Sequence, residues 1–193
     1  MENKRISNLH KLTLLIRKSV REYWTDYLVL IVIALLFISL DQWTKSMVRV
    51  NLQPGEDWLP EKLAWLMPYA RIRYWYNTGA AFGLFQGGSL IFTILAFFVS
   101  GFILIYFPQV DRKDKWLRLA LILQFSGAVG NLIDRLRFEG KVTDFISIGD
   151  FAIFNIADSC ITVGTMLLIA GVYFTERAEK RKKINDILED ISP

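Results

Sequence analysis

The chain contains very little cysteine and histidine for its 193 residues. Cys160 is the sole cysteine, so no intrachain disulfide can form, and His10 is the sole histidine, so no HExxH zinc site exists. A Ser–His or Cys–His catalytic pair would have to use His10, which lies in a basic N-terminal stretch. A protease built on this sequence must therefore rely on carboxyl groups or on a Ser–Lys pair.

Charged residues are also absent, or nearly so, from four long apolar stretches. Each stretch is long enough, with its flanks, to cross about 30 Å of hydrocarbon. The stretches cover residues 27–40, 84–107, 116–133 and 151–174. Hydrophobic residues make up 53% of the chain, above the roughly 45–50% of a typical soluble domain. We therefore predict a single-domain, all-α polytopic membrane protein with four transmembrane helices. No small-x-small cleavage site follows the first stretch, which predicts a retained helix and not a removed signal peptide.

Lysine and arginine are distributed unevenly over the segments between these stretches. Six lie in the N-terminal stretch, four between the second and third stretches and five in the tail, against five and three in the two other connections. The positive-inside rule places the richer side in the cytoplasm. Both termini are therefore expected in the cytoplasm, and residues 49–76 and 134–150 on the extracytoplasmic side. Membrane topology and lipid headgroups thus explain the net charge of +4 better than nucleic acid does.

The segments outside the spans have patterns of their own. Residues 1–24 are basic with apolar residues at helical spacing, which fits an interfacial amphipathic helix or a plain basic tail. Within residues 49–76, "EKLAWL" fits a short helix, and residues 71–77 alternate in the manner of a strand. We divide the single domain 1–193 into the N-terminal segment 1–24, a four-helix catalytic core 25–175 with the extracytoplasmic insertion 49–76, and a charged cytoplasmic tail 176–193.

Polar residues recur on one face of three of the predicted membrane helices, near the outer end of each. Spacings of i, i+4 on the first helix and i, i+3, i+7, i+10 on the third and fourth put each set on one helix face. The sets are Asp41 and Lys45; Gln124, Gly127, Asn131 and Asp134; and Asn155, Asp158, Thr162 and Thr165. We expect these side chains to converge near the outer membrane–water boundary.

Most of these polar residues also have a plain structural interpretation. The pair on the first helix fits an ordinary i,i+4 contact, and the amides and threonines fit interhelical hydrogen bonds. Asp134 fits an ion pair with the next residue, Arg135, and Asp150 fits a turn or the N-cap of the fourth helix. Asp158 differs, because an ionisable group on a membrane helix is costly and is therefore a functional candidate by default.

Five short blocks resemble, in order, the signature blocks of one known family. They are "DQWTK" (41–45), "YNTGAAFG" (76–83), "GAVGNLIDR" (127–135), "VTDFI" (142–146) and "FNIADS" (154–159). The family is lipoprotein signal peptidase, also called signal peptidase II. Ser126 stands where the family often has glycine, and Thr143 replaces a common valine. Neither departure removes a polar functional group.

The resemblance implies a bacterial inner-membrane aspartic endopeptidase with four transmembrane helices, a small extracytoplasmic β-sheet and an active site toward the extracytoplasmic face. Such an enzyme removes the signal peptide of a prolipoprotein, just before a cysteine that carries a diacylglyceryl group. The resemblance implies that Asp144 and Asp158 are the catalytic pair. Two adjacent carboxylates do not both ionise cheaply, so we expect the pair to share a proton. Supporting or substrate-binding positions implied by the resemblance are Asp41, Lys45, Asn77, Asn131, Asp134, Arg135 and Asn155.

We expect no cofactor and no metal. The expected partners are lipid-modified prolipoprotein signal peptides and membrane phospholipids, with no nucleic acid, and the protein is expected to be a monomer.

Three other functions remain open. A small channel or transporter could use the intramembrane acids, although the polar residues cluster at one end of the helices instead of crossing the bilayer. A non-catalytic membrane scaffold could use them for helix–helix contacts. A Ser–Lys protease could pair Lys45 with Ser39, Ser46 or Ser126.

Overall fold

The computed structural model describes the backbone of residues 2–79 and 87–191, and the side chains of residues 23–79, 87–174, Arg177, Lys180 and Arg181. The end of the "YNTGAAFG" block and the side chains of the N-terminal stretch therefore lie outside the described residues. The helices are α1 (Glu2–Asn51), α2 (Ser89–Tyr106), α3 (Lys115–Arg137) and α4 (Ile156–Ile191). The strands are β1 (Asp57–Trp58), β2 (Ala70–Asn77) and β3 (Val142–Ile148). Short 3₁₀ helices cover Glu61–Leu66 and Phe107–Gln109.

The four helices each contain a segment long and apolar enough to cross a membrane. These segments are Tyr23–Asn51, Ser89–Gln109, Lys115–Arg137 and Ile156–Phe174. The predicted four-span fold is thus confirmed, as is the small sheet. The N-terminal stretch is helical, but no break separates it from the first span, because α1 runs for 50 residues. At 1.5 Å per residue, α1 is about 75 Å long and extends well beyond one bilayer.

The central helix of the bundle is α3. It packs against α1, α2 and α4. Residues 120–123 are all buried, and four consecutive residues cover the full circumference of a helix. The other three helices expose large apolar side chains along their spans, as helices in contact with lipid do. A polar side chain on α3 is therefore surrounded by protein, where it can find hydrogen-bond partners.

The half of the bundle away from the sheet has an apolar core. Leu30, Ala34 and Ile38 lie at i, i+4 and i+8, so they form one stripe on α1. This stripe packs against a cluster that includes Phe107 at the end of α2 and Ile122 on α3. This half of the bundle is therefore assembled by the packing of apolar side chains.

Close packing of α3 against α4 depends on glycine. A Cβ on Gly127 would lie 2.4 Å from the Ala157 carbonyl oxygen and 2.5 Å from Ile161 Cγ1. A Cβ on Gly130 would lie 2.9 Å from Asp41 Oδ2. Small residues allow membrane helices to approach each other closely. The two glycines thus bring α4 and its first turn against the polar face of α3.

The three strands form one antiparallel sheet in the order β1-β2-β3. Residue Ala70 pairs with Ile148 at one end of β2, and Asn77 pairs with Val142 at the other. Tyr74 and Phe145 of the sheet pack on Val48, in the last turn of α1, and on Leu52, which immediately follows this helix. The sheet is therefore fixed to the same end of the bundle that carries the polar residues.

No pattern in the sequence predicts a strand within the extracytoplasmic connection 134–150, which is interpreted as a loop, and this interpretation is wrong for residues 142–148. They form β3, in which the first four residues are all buried. A strand buried on both faces loses the polar–apolar alternation that marks a half-buried strand in sequence. Asp144 is consequently held by a hydrogen-bonded strand and not by a loop.

Substitution of Gly127 with alanine should destabilise the protein, because the added methyl group would overlap Ala157 and Ile161. We expect a cost of about 1–3 kcal/mol, the usual range for overpacking, measured as a lower thermal unfolding midpoint in detergent. Gly101 on α2 provides the matched control, since its Cβ would meet nothing within 4 Å. Gly101→Ala should leave the midpoint unchanged or raise it. Equal midpoints for the two variants would contradict the proposed packing constraint.

Candidate active site

Three elements bring the polar residues together at the sheet end of the bundle. Asp144 lies on β3, Asp158 in the first turn of α4, and Asn131 on α3. Asn155 lies immediately before α4 and is fully buried. The predicted convergence of the polar helix faces is therefore present, with β3 supplying the second acid.

The carboxyl group of Asp158 is held by the residue that begins its own helix. Asn155 Oδ1 accepts a hydrogen bond from the Asp158 backbone N–H at 2.9 Å, and the Asn155 N–H donates to Asp158 Oδ2 at 3.2 Å. This reciprocal arrangement is a capping box, with Asn155 as N-cap and Asp158 at position N3. The sequence NIAD thus starts α4 and orients an acid in the same four residues.

The same asparagine also reaches Asp144. Asn155 Nδ2 donates to Asp144 Oδ1 at 2.7 Å, and Asn77 Nδ2 donates to Asp144 Oδ2 at 3.0 Å. Both oxygens of Asp144 therefore accept a hydrogen bond from an amide. Asn155 touches both acids, through its side chain on one and its backbone N–H on the other.

Asn131 completes the link between the two acids and a buried lysine. Its Nδ2 donates to Asp158 Oδ1 at 2.7 Å. Its Oδ1 accepts from Lys45 Nζ at 3.0 Å and from Asn155 Nδ2 at 3.1 Å. Because Oδ1 is held by two donors, the amide is oriented with its own N–H toward Asp158.

Lys45 is fully buried between two acids. Its ammonium lies 2.9 Å from Asp41 Oδ2 and 3.5 Å from Asp134 Oδ2. Asp41 Oδ1 accepts from the backbone N–H of Ala157 at 2.9 Å, and Asp134 Oδ2 accepts from that of Thr143 at 2.9 Å. Ala157 precedes Asp158 and Thr143 precedes Asp144. The buried trio of Asp41, Lys45 and Asp134 thus holds the backbone next to Asp144 and next to Asp158.

Two further residues contact this trio, and the sequence patterns did not single out either of them. Arg49 Nη1 donates to Thr143 Oγ1 at 2.9 Å and lies 3.7 Å from Asp134 Oδ1. Gln42 Nε2 donates to Asp41 and Asp134, each at 3.1 Å. The helical repeat Asp41, Lys45, Arg49 could have indicated the arginine, because i, i+4 and i+8 share a face. No spacing in the sequence indicates Gln42.

Arg135 does not pair with Asp134, so that interpretation is wrong. Asp134 is occupied by Lys45, Arg49 and Thr143. Among residues 23–79 and 87–174, the Arg135 guanidinium has no hydrogen-bond or ion-pair partner and lies 5.6 Å from the centre of the Phe92 ring. It lines the same cavity as the two acids. A partly buried arginine without a partner in the described part of the chain is available to a ligand.

The cavity has a volume of about 720 Å³ and two kinds of lining. A cluster of amide, carboxyl and guanidinium groups lies beside a larger area of apolar side chains, many of them on α2, α3 and α4. The polar lining includes Asn77, Asn131, Arg135, Asp144 and Asp158, and the apolar lining includes Phe92, Leu95, Val99, Ala128 and Ile161. A ligand that has both a polar group and a large apolar part would match this lining.

Asp144 holds a proton at higher pH than an ordinary aspartate. Burial raises the pKa of Asp144 to about 7 from 3.8, the nearby charge of Asp158 adds to the shift, and hydrogen bonds from Asn77 and Asn155 oppose it. At neutral pH the pair is therefore poised to hold a proton, as expected for two carboxyl groups that share one.

The remaining sequence candidates have structural explanations. Asp150 is exposed in a turn that follows Gly149, whose φ is +50°, so the turn interpretation is confirmed and the N-cap of α4 is Asn155 instead. Cys160 is buried, in agreement with a packing role. Ser126 Oγ donates to the Ile122 carbonyl of its own helix at 2.7 Å, and the Lys45 ammonium is occupied by its acids. These contacts argue against the Ser–Lys alternative.

An infrared titration would test the raised pKa of Asp144. The carboxyl C=O band of a protonated acid should persist in the purified protein up to about pH 7 and disappear as pH rises further, because an acid with a raised pKa releases its proton later. Asp144→Asn should remove this band. Asp150→Asn is the matched control and should leave it in place; loss of the band there would contradict the assignment.

Comparison with known proteins gives one consistent family. The model for Signal peptidase (SPase) II matches residues 33–174. The lipoprotein signal peptidase of Shouchella clausii is 40% identical over 154 residues, which cover 78% of this chain and 96% of that protein. That of Streptococcus thermophilus strain CNRZ 1066 is 41% identical over 137 residues, which cover 70% and 86%.

Solved structures agree with the sequence comparisons. A bacterial membrane enzyme solved by the in meso method at 2.3 Å superposes with a TM-score of 0.67 at 31% identity, over 75% of this chain and 87% of the other. A second, solved by the same method at 1.9 Å, gives a TM-score of 0.65 at 31% identity, over 75% and 92%. The similarity therefore extends over the membrane bundle and most of each related structure.

Proposed function

The chain belongs to the signal peptidase II family, whose members cleave the signal peptides of prolipoproteins, and we propose that Asp144 and Asp158 perform this cleavage as a pair that shares one proton. The chain is accordingly a membrane peptidase. The observation that carries the proposed pair is the double contact of Asn155, which donates to both carboxyl groups inside one cavity.

The proposed chemistry follows from the protonation of the pair. The ionised carboxylate takes a proton from a water molecule, which attacks the scissile carbonyl carbon. The protonated carboxyl group polarises the carbonyl oxygen and stabilises the negative charge that develops on it. The raised pKa of Asp144 supports this scheme, because the pair then retains a proton near neutral pH.

The lining of the cavity supports a lipid-modified substrate. The guanidinium of Arg135 is available to donate a hydrogen bond to a substrate carbonyl oxygen, since it has no partner among the described residues. The apolar wall formed by Phe92, Leu95 and Val99 lies on α2, a helix that exposes most of its surface as a lipid-facing helix does. A diacylglyceryl group can rest against this wall while the peptide lies at the acids.

The proposed topology puts the active site at the extracytoplasmic end. Lysines and arginines are more frequent in the segments at the opposite ends of the helices, which assigns those ends and both termini to the cytoplasm. The exposed aromatic residues of the sheet end fit a membrane–water interface. They include Trp58, Trp65, Tyr69 and Trp75.

Asp41, Lys45 and Asp134 act as positioning residues in this proposal. Asp41 and Asp134 each accept a hydrogen bond from the backbone N–H next to one member of the catalytic pair, and Lys45 lies between them. Displacement of a reacting group by about 1 Å can cost roughly 10²-fold in rate. We therefore attribute to this trio the relative placement of the two catalytic carboxyl groups.

Replacement of either acid by asparagine tests the catalytic pair. Asp144→Asn and Asp158→Asn should each lower the rate of cleavage of a diacylglyceryl-modified prolipoprotein by at least about 10²–10⁴-fold, because each removes one half of the acid–base pair. The rate is measured with purified protein, and thermal unfolding checks that each variant is folded. Asp150→Asn is the matched control, exposed and outside the cavity. Near-normal cleavage by either dyad variant would disprove the assignment.

A charge-balanced double variant separates the positioning role of Lys45 from its effect on stability. Lys45→Met alone leaves two buried acids without their cation and should cost about 3–5 kcal/mol of stability. Lys45→Met with Asp134→Asn removes one charge of each sign, so much of the stability should return. Cleavage should stay slow, with kcat lowered more than KM is raised, because Asn131 has lost one of the two donors that orient it. Full recovery of kcat in the double variant would refute the positioning role. Lys62→Met, on the exposed 3₁₀ helix, is the control and should change neither stability nor kcat.

A further inference from the structure

A second cavity lies at the opposite end of the bundle from the catalytic pair. It has a volume of about 400 Å³ and lies between α1 and α3. Its lining consists of Thr25, Asp26, Val29, Ile33, Arg112, Lys115, Arg118, Leu119 and Ile122. Asp26 and Asp41 are 15 residues apart on α1, so the two sites are separated by about 22 Å along the helix axis.

The polar part of this cavity contains more positive than negative charge. Arg118 Nη2 and Arg112 Nη2 donate to the two oxygens of Asp26 at 2.8 and 2.7 Å. Lys115 also lines the cavity, and its ammonium has no ion-pair partner among residues 23–79 and 87–174. Three cations thus face one carboxylate, which leaves a surplus of two positive charges.

Nearby acids do not cancel this surplus inside the cavity. Asp111 and Asp114 belong to the same connection but do not line the cavity. Asp111 Oδ1 accepts from the Lys113 N–H at 2.9 Å, and Asp114 Oδ1 caps α3 by accepting from the Leu117 N–H at 3.0 Å. The cavity therefore favours an anion.

The other part of the lining is apolar and continues into the membrane-spanning part of the helices. Val29 and Ile33 lie one turn apart on α1, opposite Leu119 and Ile122 of α3. Val29 is 44% exposed, so the groove is open to the surroundings of the bundle. A charged rim above an apolar groove at the end of a span corresponds to the headgroup and acyl chain of a lipid.

We propose that this cavity binds an anionic phospholipid of the cytoplasmic leaflet, with its phosphate at Arg112 and Lys115 and an acyl chain along Val29 and Ile33. Basic pockets between membrane helices at the cytoplasmic face bind anionic headgroups in this way. The site uses Thr25, Asp26 and Val29, which precede the part of the chain matched by the family model, residues 33–174. It is independent of the catalytic pair, although its leaflet depends on the topology proposed above.

A lipid bound between α1 and α3 would connect the two helices, in addition to the ion pairs of Asp26. Arg118 is buried, donates to the Val110 carbonyl oxygen at 3.1 Å and lies 4.1 Å from the centre of the Phe107 ring. Its role is therefore mainly to hold Asp26 and the end of α2. Arg112 has a side chain that is 63% exposed and supplies, with Lys115, the charge that a phosphate can reach.

The test measures lipid binding to the full-length protein in a neutral detergent by native mass spectrometry. Dioleoyl phosphatidylglycerol should bind at least several-fold more tightly than dioleoyl phosphatidylcholine. Lys115→Gln should weaken phosphatidylglycerol binding about fivefold, the factor expected for about 1 kcal/mol per basic residue at an anionic lipid surface. Lys113→Gln is the matched control, two residues away and outside the cavity, and should change binding less than twofold.

A second pair of variants tests the acyl groove and distinguishes a lipid from a free phosphate. Val29→Trp should fill the groove and abolish the preference for phosphatidylglycerol, whereas Val32→Trp, similarly exposed but outside the cavity, should not. Inorganic phosphate in millimolar excess should fail to displace the lipid. Three outcomes would overturn the proposal: equal binding of the two lipids, equal effects of the two lysine variants, or displacement of the lipid by phosphate. Asp26 and its arginines would then be only an ion-pair contact that joins α1 to α3. Cleavage of a prolipoprotein in detergent by Lys115→Gln should be unchanged in either case.

Discussion

A fully buried lysine between two buried acids is the interaction on which the rest of the site depends. Taking such charges out of water costs several kcal/mol per ion, and the cost is offset only when every charge has close partners. Lys45 meets this condition with Asp41 and Asp134. The same two acids also accept hydrogen bonds from the backbone N–H groups of Ala157 and Thr143, so the ion pairs that compensate the buried charges also fix α4 and β3.

This arrangement requires that α1, α3 and α4 approach each other closely. Gly130 leaves room for the Asp41 carboxyl group, and Gly127 leaves room for the Ala157 carbonyl oxygen. A larger residue at either position would push the N-terminus of α4 away from Asp41 and from Asn131. The glycines of the third span are thus part of the active-site geometry, although neither has a side chain that could take part in chemistry.

The sequence predicted the helices well because their apolar runs are long and end at turn residues or charges. It also predicted the convergence of polar faces, since the spacing of residues on a helix fixes which side they share. It did not predict β3 as a strand, because Val142–Phe145 are all buried and the alternation is lost. Nor did it predict that Asp134 pairs with Lys45 and Arg49 and not with Arg135, because the choice between two nearby cations depends on helix rotation, which sequence spacing alone leaves open. The choice of Asp144 over Asp134 and Asp150 as the proposed partner of Asp158 rested on the family resemblance, and the contacts of Asn155 with both carboxyl groups support this proposal.

The two ends of the bundle handle buried charge in opposite ways. At the sheet end, Lys45 and Arg49 each lie beside an acid, and Arg135, which has no ion-pair partner in the described ranges, lines the cavity of the two acids. At the other end, Asp26 is held by two arginines, and cations are in excess. The repulsion among excess positive charges is reduced where anions are abundant, as they are at a leaflet rich in anionic lipid. In the proposed topology, the cation-rich end lies at the cytoplasmic leaflet, where the phosphate of the proposed lipid would balance its charge, while the sheet end keeps its charges for positioning the two acids.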